Sequence, residues 1–308
     1  MPPTPHPLAT LSQILHNPSC SDGLPKEIES DLRTAACMLI QEAGIMLDLP
    51  QSTIATAQVL LHRFYYVSSM LSFGITDISI TSLYLSSKLC ETPIRLRDLI
   101  NAYMFLLARI KHLSGGVSGK GKEKENMKIW EGFSFEPPGF HDEVFWDWKD
   151  IIVSSEMQIL KRLGFNMQVD LPYSHVINYC RILDLVFEKD VAQSCWSILN
   201  DALLTPLYVY HPPHILACAS ILLTTRLLRI PLPDNWWVLF DANHEDIWQC
   251  CGTIANLWRE WGMEPHTGLI HGERRDRRKV EDKWRRTWVL LESKKAVRRW
   301  VEENDQKA

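Results

Sequence analysis

Apolar residues recur every three to four positions through most of this 308-residue chain, and this spacing constrains the fold more than any other feature. From Lys26 onward, for example, Ala35, Met38 and Leu39 fall on one face of a helix. An alternation of apolar and polar residues, which would predict a β-strand, does not persist in any stretch. The pattern therefore predicts an all-α protein. Because 46% of the residues are hydrophobic, the chain can supply two helical cores.

Prolines and glycines divide the helical pattern into two series. Leu49-Pro50 and Pro93 separate helices of the first series, and Gly164 is placed to end its last helix. Within this series, the Gly- and Lys-rich and then Pro-rich stretch 112–141 predicts an insertion loop. A second series starts after Leu171-Pro172. We therefore expect four parts: an N-terminal extension over 1–26, a first helical domain over 27–168, a second over 169–262 and a tail over 263–308.

A short pattern occurs twice in the sequence. Residues 84–89, followed by Pro93, have the same order of residue types as residues 222–227, followed by Pro231. Each copy has an apolar pair, two small hydroxyl residues, a basic residue and a leucine, and the copies lie 138 residues apart. Two copies of a five-helix domain would explain this spacing, which is longer than that of solenoid repeats. Chance similarity between two buried helices would also explain it, and the pattern alone leaves both interpretations open.

Several short motifs follow one another in a specific order. In the first half they are Leu39-Ile40-Gln41, Ala43-Gly44-Ile45, Leu49-Pro50-Gln51, Ser87-Lys88, Arg97-Asp98-Leu99-Ile100-Asn101 and Leu160-Lys161-Arg162-Leu163-Gly164-Phe165. In the second half they are Asn200-Asp201, Ala217-Cys218 and Ile230-Pro231-Leu232-Pro233. In this order, over about residues 27–262, the sequence resembles the cyclins, and in particular the transcription-linked branch that contains cyclin L.

The resemblance implies a fold, a function and a site. The fold would be two tandem five-helix cyclin boxes. The function would be that of a regulatory subunit that binds and activates a cyclin-dependent protein kinase, in transcription or pre-mRNA processing and in the nucleus. The positions that match kinase-binding residues of the family are Lys88, Glu156, Leu89 and Phe165. The first two would bond to the kinase, and the last two would contribute apolar contacts to it.

Two departures and two alternatives bear on this resemblance. Cyclins usually have two acidic residues shortly after the matching lysine, whereas this chain has Cys90-Glu91. It also has no clear counterpart, in Leu32–Leu39, of the patch with which cell-cycle cyclins dock substrates. A TFIIB-like transcription factor shares the fold but has an N-terminal zinc ribbon, and residues 1–30 contain only Cys20. The second alternative, an unrelated helical enzyme, would need a set of catalytic residues, and we find no such set in the sequence.

The sequence predicts no catalytic, cofactor or metal site. Residues 116–122 fit the spacing of a phosphate-binding loop, but Glu123 stands where Ser or Thr would hold magnesium. His211 and His214 flank two prolines and have no third ligand nearby. The eight cysteines form no CxxC pair, which favours free thiols in a reducing compartment. No apolar run is long enough for a membrane span, so we expect no membrane-spanning segment and name no membrane among the expected partners.

The end of the chain is basic. Residues 273–308 contain 13 lysines and arginines and 8 acidic residues, whereas the whole chain has a net charge of −4. Val280, Trp284, Trp288 and Leu291 mark one apolar face of a helix there. Such a helix could bind RNA, an acidic protein partner or a membrane surface. It could equally pack on the second box with its charges in solvent.

Overall fold

The structure is a computed structural model that describes residues 8–115, 133–263, 277–291 and 294–305. All regular secondary structure in these ranges is helical, which confirms the all-α prediction. The α-helices of the first half are α1 Leu11–Leu15, α2 Pro18–Ser21, α3 Lys26–Met46, α4 Gln51–Phe64, α5 Ile75–Leu89, α6 Leu96–Gly115 and α7 Glu143–Arg162. Those of the second half are α8 Tyr173–Ile182, α9 Val191–Ala202, α10 Leu207–Tyr210, α11 Pro213–Leu228, α12 His244–Trp261, α13 Arg277–Leu291 and α14 Lys294–Asp305, with 3₁₀ helices η1 Leu185–Phe187 and η2 Trp236–Phe240.

The chain forms two compact units. Among the described residues, the first unit takes those between 16 and 167 and those from Lys283 onward, and the second takes those between 168 and 282 and those up to Leu15. The change between them at 167/168 is one residue from the predicted boundary. The two ends differ from the predicted extension and tail, because each belongs to a unit. The amide of Ala9, for example, donates to the carbonyl of Val209 in the second unit at 2.8 Å.

Helix α5 is the centre of the first unit and packs against α3, α4, α6 and α7. A helix enclosed on all sides needs short side chains, and the buried residues of α5 include several serines and threonines. Their hydroxyls bond to the carbonyls of the preceding turn of the same helix. Ser86 donates to Leu83 at 3.0 Å and Ser87 to Tyr84 at 2.7 Å. The hydroxyls of Ser86 and Ser87 are therefore satisfied without a partner from another helix.

A buried arginine joins α3 to the end of α4. Arg33 is 1% exposed and forms an ion pair with Glu29. Its two terminal nitrogens donate to the carbonyls of His62 and Tyr65, each at 3.0 Å. These carbonyls belong to the last turn and C-cap of α4, where backbone acceptors lack partners within the helix. Arg33 therefore fixes how α4 ends against α3.

Helix α11 has the same central place in the second unit, where it packs against α8, α9 and α12. The repeated sequence pattern lies at the end of both central helices, and the backbone repeats with it. The amide of Thr92 donates to the Ser87 carbonyl at 2.8 Å, and that of Ile230 to the Thr225 carbonyl at 2.9 Å. The residues before these amides, Glu91 and Arg229, have φ of 56° and 58°. The pattern therefore ends both central helices in the same way, which favours an internal structural repeat.

From Lys283 onward the tail packs on the first unit, so the alternative of packing on the second box does not hold for these residues. Lys283 Nζ and Arg286 Nη2 each lie 2.8 Å from a carboxylate oxygen of Asp31 on α3. Thr76 donates its hydroxyl to the carbonyl of Leu291 at 2.6 Å. On the tail side, the buried apolar residues are Leu290, Leu291, Val297 and Val301. The sequence alone could not locate these partners, because Asp31 lies 255 residues from Arg286.

Only part of the predicted insertion lies in the residues that the structure describes. Residues 116–132, which include the string that fits a phosphate loop, lie outside them. The Phe133 and Phe135 rings pack edge-to-face on Phe105 of α6, at 5.8 and 5.5 Å.

All eight cysteines are free, and burial raises the pKa of Cys218 and of Cys251 to about 12. In the part of the chain that the structure describes, no helix has the length and hydropathy to cross a membrane.

Candidate functional site

The predicted lysine and glutamate meet at one surface of the first unit. Lys88 lies in the last turn of α5, and Glu156 lies in α7, which packs against α5. The Lys88 ammonium donates to both carboxylate oxygens of Glu156, at 2.6 and 2.9 Å. The Lys88 side chain is 41% exposed and that of Glu156 18%. The pair is therefore formed in the free chain and stays open to solvent on the lysine side.

An aromatic ring supports the lysine. Tyr84 precedes Lys88 by one helical turn, and the Lys88 ammonium lies 4.0 Å from the centre of its ring. Such a cation–π contact contributes on the order of 0.5–1 kcal/mol at an exposed site. Together with the two bonds from Glu156, it holds the ammonium in place. A long, flexible side chain thereby loses much of its freedom before any partner arrives.

The end of α5 is fixed by the loop that follows. Glu91 has positive φ, and the Thr92 hydroxyl lies 3.0 Å from the Thr53 hydroxyl of α4. Cys90, which stands where cyclins usually have an acid, directs its thiol to Thr56 at 3.8 Å. Cys90 therefore contacts the core of its own unit, and only Glu91 of this pair is exposed.

Exposed apolar side chains accompany the ion pair. Leu89 is 44% exposed and Phe165, just beyond the end of α7, is 68% exposed. The backbone of Phe165 is left-handed, with φ of 59°, and its amide donates to the Leu160 carbonyl at 2.9 Å. This cap ends α7 and leaves the ring in solvent. On α7 itself, Val153 and Met157 are exposed close to Glu156.

The geometry favours recognition over internal stability. An exposed ion pair contributes about 0–1 kcal/mol to folding, and exposed apolar side chains contribute little. Under a partner, both would be desolvated, and the charges would fix the register of the contact. Among the described residues, no group of three or more His, Cys, Asp or Glu side chains could hold a metal ion. The surface is therefore suited to docking a protein.

The structure brings Lys88 and Glu156 together, and it exposes Leu89 and Phe165 in the same unit, as the resemblance implies. Tyr84, Val153 and Met157 were missed by the sequence reasoning. Tyr84 could have been found from its position one turn before Lys88. The exposure of Val153 and Met157 follows from which face of α7 packs on α5, and this requires the structure.

A family model described as "Cyclin, N-terminal domain" matches residues 9–168, which is more than half of the chain. The chain therefore belongs to the cyclin family, and the prediction from the sequence motifs is confirmed.

Among the proteins similar in sequence to this chain are cyclins of the L type. Cyclin-L2 of Mus musculus is 35% identical over 248 residues, which cover 80% of this chain and 44% of that protein. Cyclin-L1 of Homo sapiens is 32% identical over 270 residues, which cover 87% of this chain and 47% of that protein. The chain thus spans less than half the length of the relatives it matches. The predicted resemblance to cyclin L is confirmed at the level of sequence similarity.

Two solved complexes contain chains of similar fold. One is the yeast RNA Pol II CTD kinase CTDK-1 complex, with a TM-score of 0.63 and 18% identity over 90% of this chain and 81% of that one. The other is the Chaetomium thermophilum CAK complex bound to ATP-gamma-S, with a TM-score of 0.52 and 16% identity over 89% and 77%. At these identities the likeness concerns the fold, and it supports the two-box architecture.

Proposed function

We propose that this chain is the regulatory subunit of a cyclin-dependent protein kinase and docks on the kinase through the surface around Lys88 and Glu156. The observation that carries the proposal is the preformed ion pair between α5 and α7, bordered by exposed Leu89 and Phe165 in a chain of the cyclin family. The two solved complexes of similar fold give further support, since one is described as a kinase complex and the other as bound to ATP-gamma-S.

Activation would work by population shift. A protein kinase needs an ion pair between the lysine that positions ATP and a glutamate on a mobile helix. A cyclin that binds only the inward arrangement of this helix shifts the kinase toward its active state. The chain itself would transfer no phosphate. In this scheme Lys88 and Glu156 set the register, and the apolar side chains supply affinity.

The cellular process and the compartment are proposed from the similarity to the relatives. The similarity to Cyclin-L1 and Cyclin-L2 supports the transcription or RNA-processing branch of the family, and hence a nuclear protein. The RNA or acidic partner predicted for the tail is not part of the proposed function. Two of the tail's cations, Lys283 and Arg286, share the single carboxylate of Asp31, which offsets one of their two charges.

Affinity purification of the chain from native cells tests the proposal. We expect a cyclin-dependent kinase to co-purify, and the recombinant pair to phosphorylate a peptide substrate much faster than the kinase alone. The chain alone, measured as the control, should show no phosphate transfer. Recovery of no kinase, or equal kinase rates with and without the chain, would reject the proposal.

A further inference from the structure

A cavity of about 760 Å³ opens in the second unit at the C-terminal end of α11. Its walls are the last turns of α11, the following loop 229–235, η2 and the first turns of α12. The volume lies in the range of about 300–1,000 Å³ that is typical of ligand sites. The cavity is separate from the surface around Lys88, which belongs to the other unit.

One part of the wall is aromatic and rich in proline. Trp236, Trp237 and Trp248 line the cavity together with Pro231 and Pro233. Trp236 is buried, whereas Trp248 is 50% exposed. Grooves lined by aromatic rings are the usual docking sites for proline-containing segments, which keep an extended conformation at low entropic cost.

These rings are held in place without a ligand. The Trp248 indole donates its N–H to His244 Nε2 at 2.6 Å, and the His244 ring lies 4.8 Å from the Trp237 ring. The ring of Trp236 packs edge-to-face on Phe240 at 6.1 Å. Because the rings are already ordered, binding would require little further loss of side-chain freedom.

The other part of the wall carries positive charge without a partner. Arg226 and Arg229 line the cavity, and neither guanidinium forms a hydrogen bond or ion pair with the residues that the structure describes. Asp234 is the one carboxylate among the lining residues, so these side chains sum to a net charge of +1 with histidine neutral. A guanidinium pairs most strongly with a carboxylate or a phosphate, because its planar fork can make two bonds.

The surroundings limit which anion fits. Residues 169–262 contain five basic and ten acidic side chains, a net charge of −5, and two of the five cations are at this cavity. A polyanion such as nucleic acid requires an extended basic surface and would be repelled by this unit. A short segment with a single anionic group would face the two arginines and Asp234, which sum to a net positive charge, and not the other acidic side chains of this unit.

We propose that this cavity binds an extended segment of a partner protein in which a proline lies close to an anionic side chain. The proline would pack among the tryptophans, and the anion would pair with Arg226 and Arg229. The anion could be a carboxylate or a phosphorylated hydroxyl, which offer the same acceptor oxygens.

Peptide binding to the full chain tests this proposal. The probes are nine-residue peptides with a fixed proline and mixed flanking residues, in which one position within three residues of the proline is Glu, phosphoserine, Gln or Lys. Fluorescence anisotropy should give dissociation constants at least about tenfold lower for the Glu or phosphoserine peptides than for the Gln and Lys peptides. The ratio between the Glu and phosphoserine peptides tells which anion is preferred. A ten-nucleotide RNA is measured alongside.

Variants assign the binding to the cavity. Arg226→Gln with Arg229→Gln should remove the preference for the anionic peptides, and Trp248→Leu should weaken all peptides that contain proline. Trp248→Phe keeps a ring in the wall and should retain most of the binding even if Trp248→Leu fails to fold. Arg181→Gln, an exposed arginine of the same unit outside the cavity, is the matched control and should change nothing. Equal affinity for Glu and Gln peptides, unchanged binding by the double arginine variant, or tighter binding of RNA would overturn the proposal.

Discussion

The two units carry a basic residue at the same position of their central helices, but in different surroundings. Lys88 and Arg226 are equivalent in the internal repeat, three residues before the left-handed residue that ends each helix. Lys88 is bonded by Glu156 from the last helix of its box. Arg226 forms no ion pair with the described residues and lines a cavity together with Arg229. One helix position therefore has two different electrostatic environments.

The difference lies in the neighbouring elements and not in the central helix. In the first unit α7 places a carboxylate beside the lysine, and the result is a compact surface of fixed charge. In the second unit η2 and α12 place tryptophans there, and the result is a concave site with unneutralised charge. A repeated fold can thus keep its central helix while the surface next to it differs in shape and charge.

The tail is expected to matter for the first unit and not for the second. Ending the chain at Met263 removes both cations from Asp31, a carboxylate that is 4% exposed in the presence of the tail. The truncation also removes the buried side chains Leu290, Leu291, Val297 and Val301. Because burial of one such side chain contributes about 1.5–3 kcal/mol, hydrogen exchange should accelerate throughout α3 and α5. Exchange in α11 should stay unchanged. Equal acceleration in both units would contradict this division.

A pair of single substitutions refines the same test. Arg286→Gln removes one bond to Asp31 and should lower the free energy of unfolding of the first unit by about 1–3 kcal/mol. Arg285→Gln, at the neighbouring exposed position, is the control and should lie within about 0.5 kcal/mol of the unchanged chain.

The helices could be predicted from the sequence, the repeat remained one of two interpretations, and only part of the site could be inferred. The serines and threonines of α5 and α11 are visible as a pattern, because a central helix limits side-chain size locally. Glu156 could be linked to Lys88 only by resemblance, since 68 residues separate them and spacing alone does not predict their contact. The place of the tail could not be predicted either. From the sequence its basic residues suggested an unpaired charged surface, because their partner Asp31 lies on α3, far away in the sequence.

The Tyr84 ring, which contacts the Lys88 ammonium, should contribute moderately to kinase binding. Tyr84→Leu removes the cation–π contact and should weaken kinase binding by about 0.5–1 kcal/mol, whereas Tyr84→Phe keeps the ring and should have little effect. Calorimetric titration of the co-purified kinase into each variant measures the difference. If the Phe variant weakens binding as much as the Leu variant, the hydroxyl and not the ring is responsible.

Acid should weaken the second unit slightly. Burial lowers the pKa of His211 and of His214 below the ordinary value of 6.5, so the unfolded chain binds protons that the folded unit does not. Stability is therefore fully present above pH 6.5 and is lost as the pH falls through 6.5 toward the lowered values. Urea unfolding at several pH values should show this loss, and His211→Gln should reduce it. A stability that rises on acidification in this window would show that the sign is wrong.

The most direct test of the docking surface is the dissociation constant of the kinase for charge-reversed chains. Lys88→Glu and Glu156→Lys should each weaken binding by about 2–5 kcal/mol, because a desolvated charge would lack its partner or face a like charge. Circular dichroism should be unchanged, since neither side chain is part of the core. Arg226→Glu, the equivalent position of the second unit, should bind the kinase normally. Wild-type affinity in both reversals would contradict the assignment of this surface, and unfolding of both would show that the pair is structural.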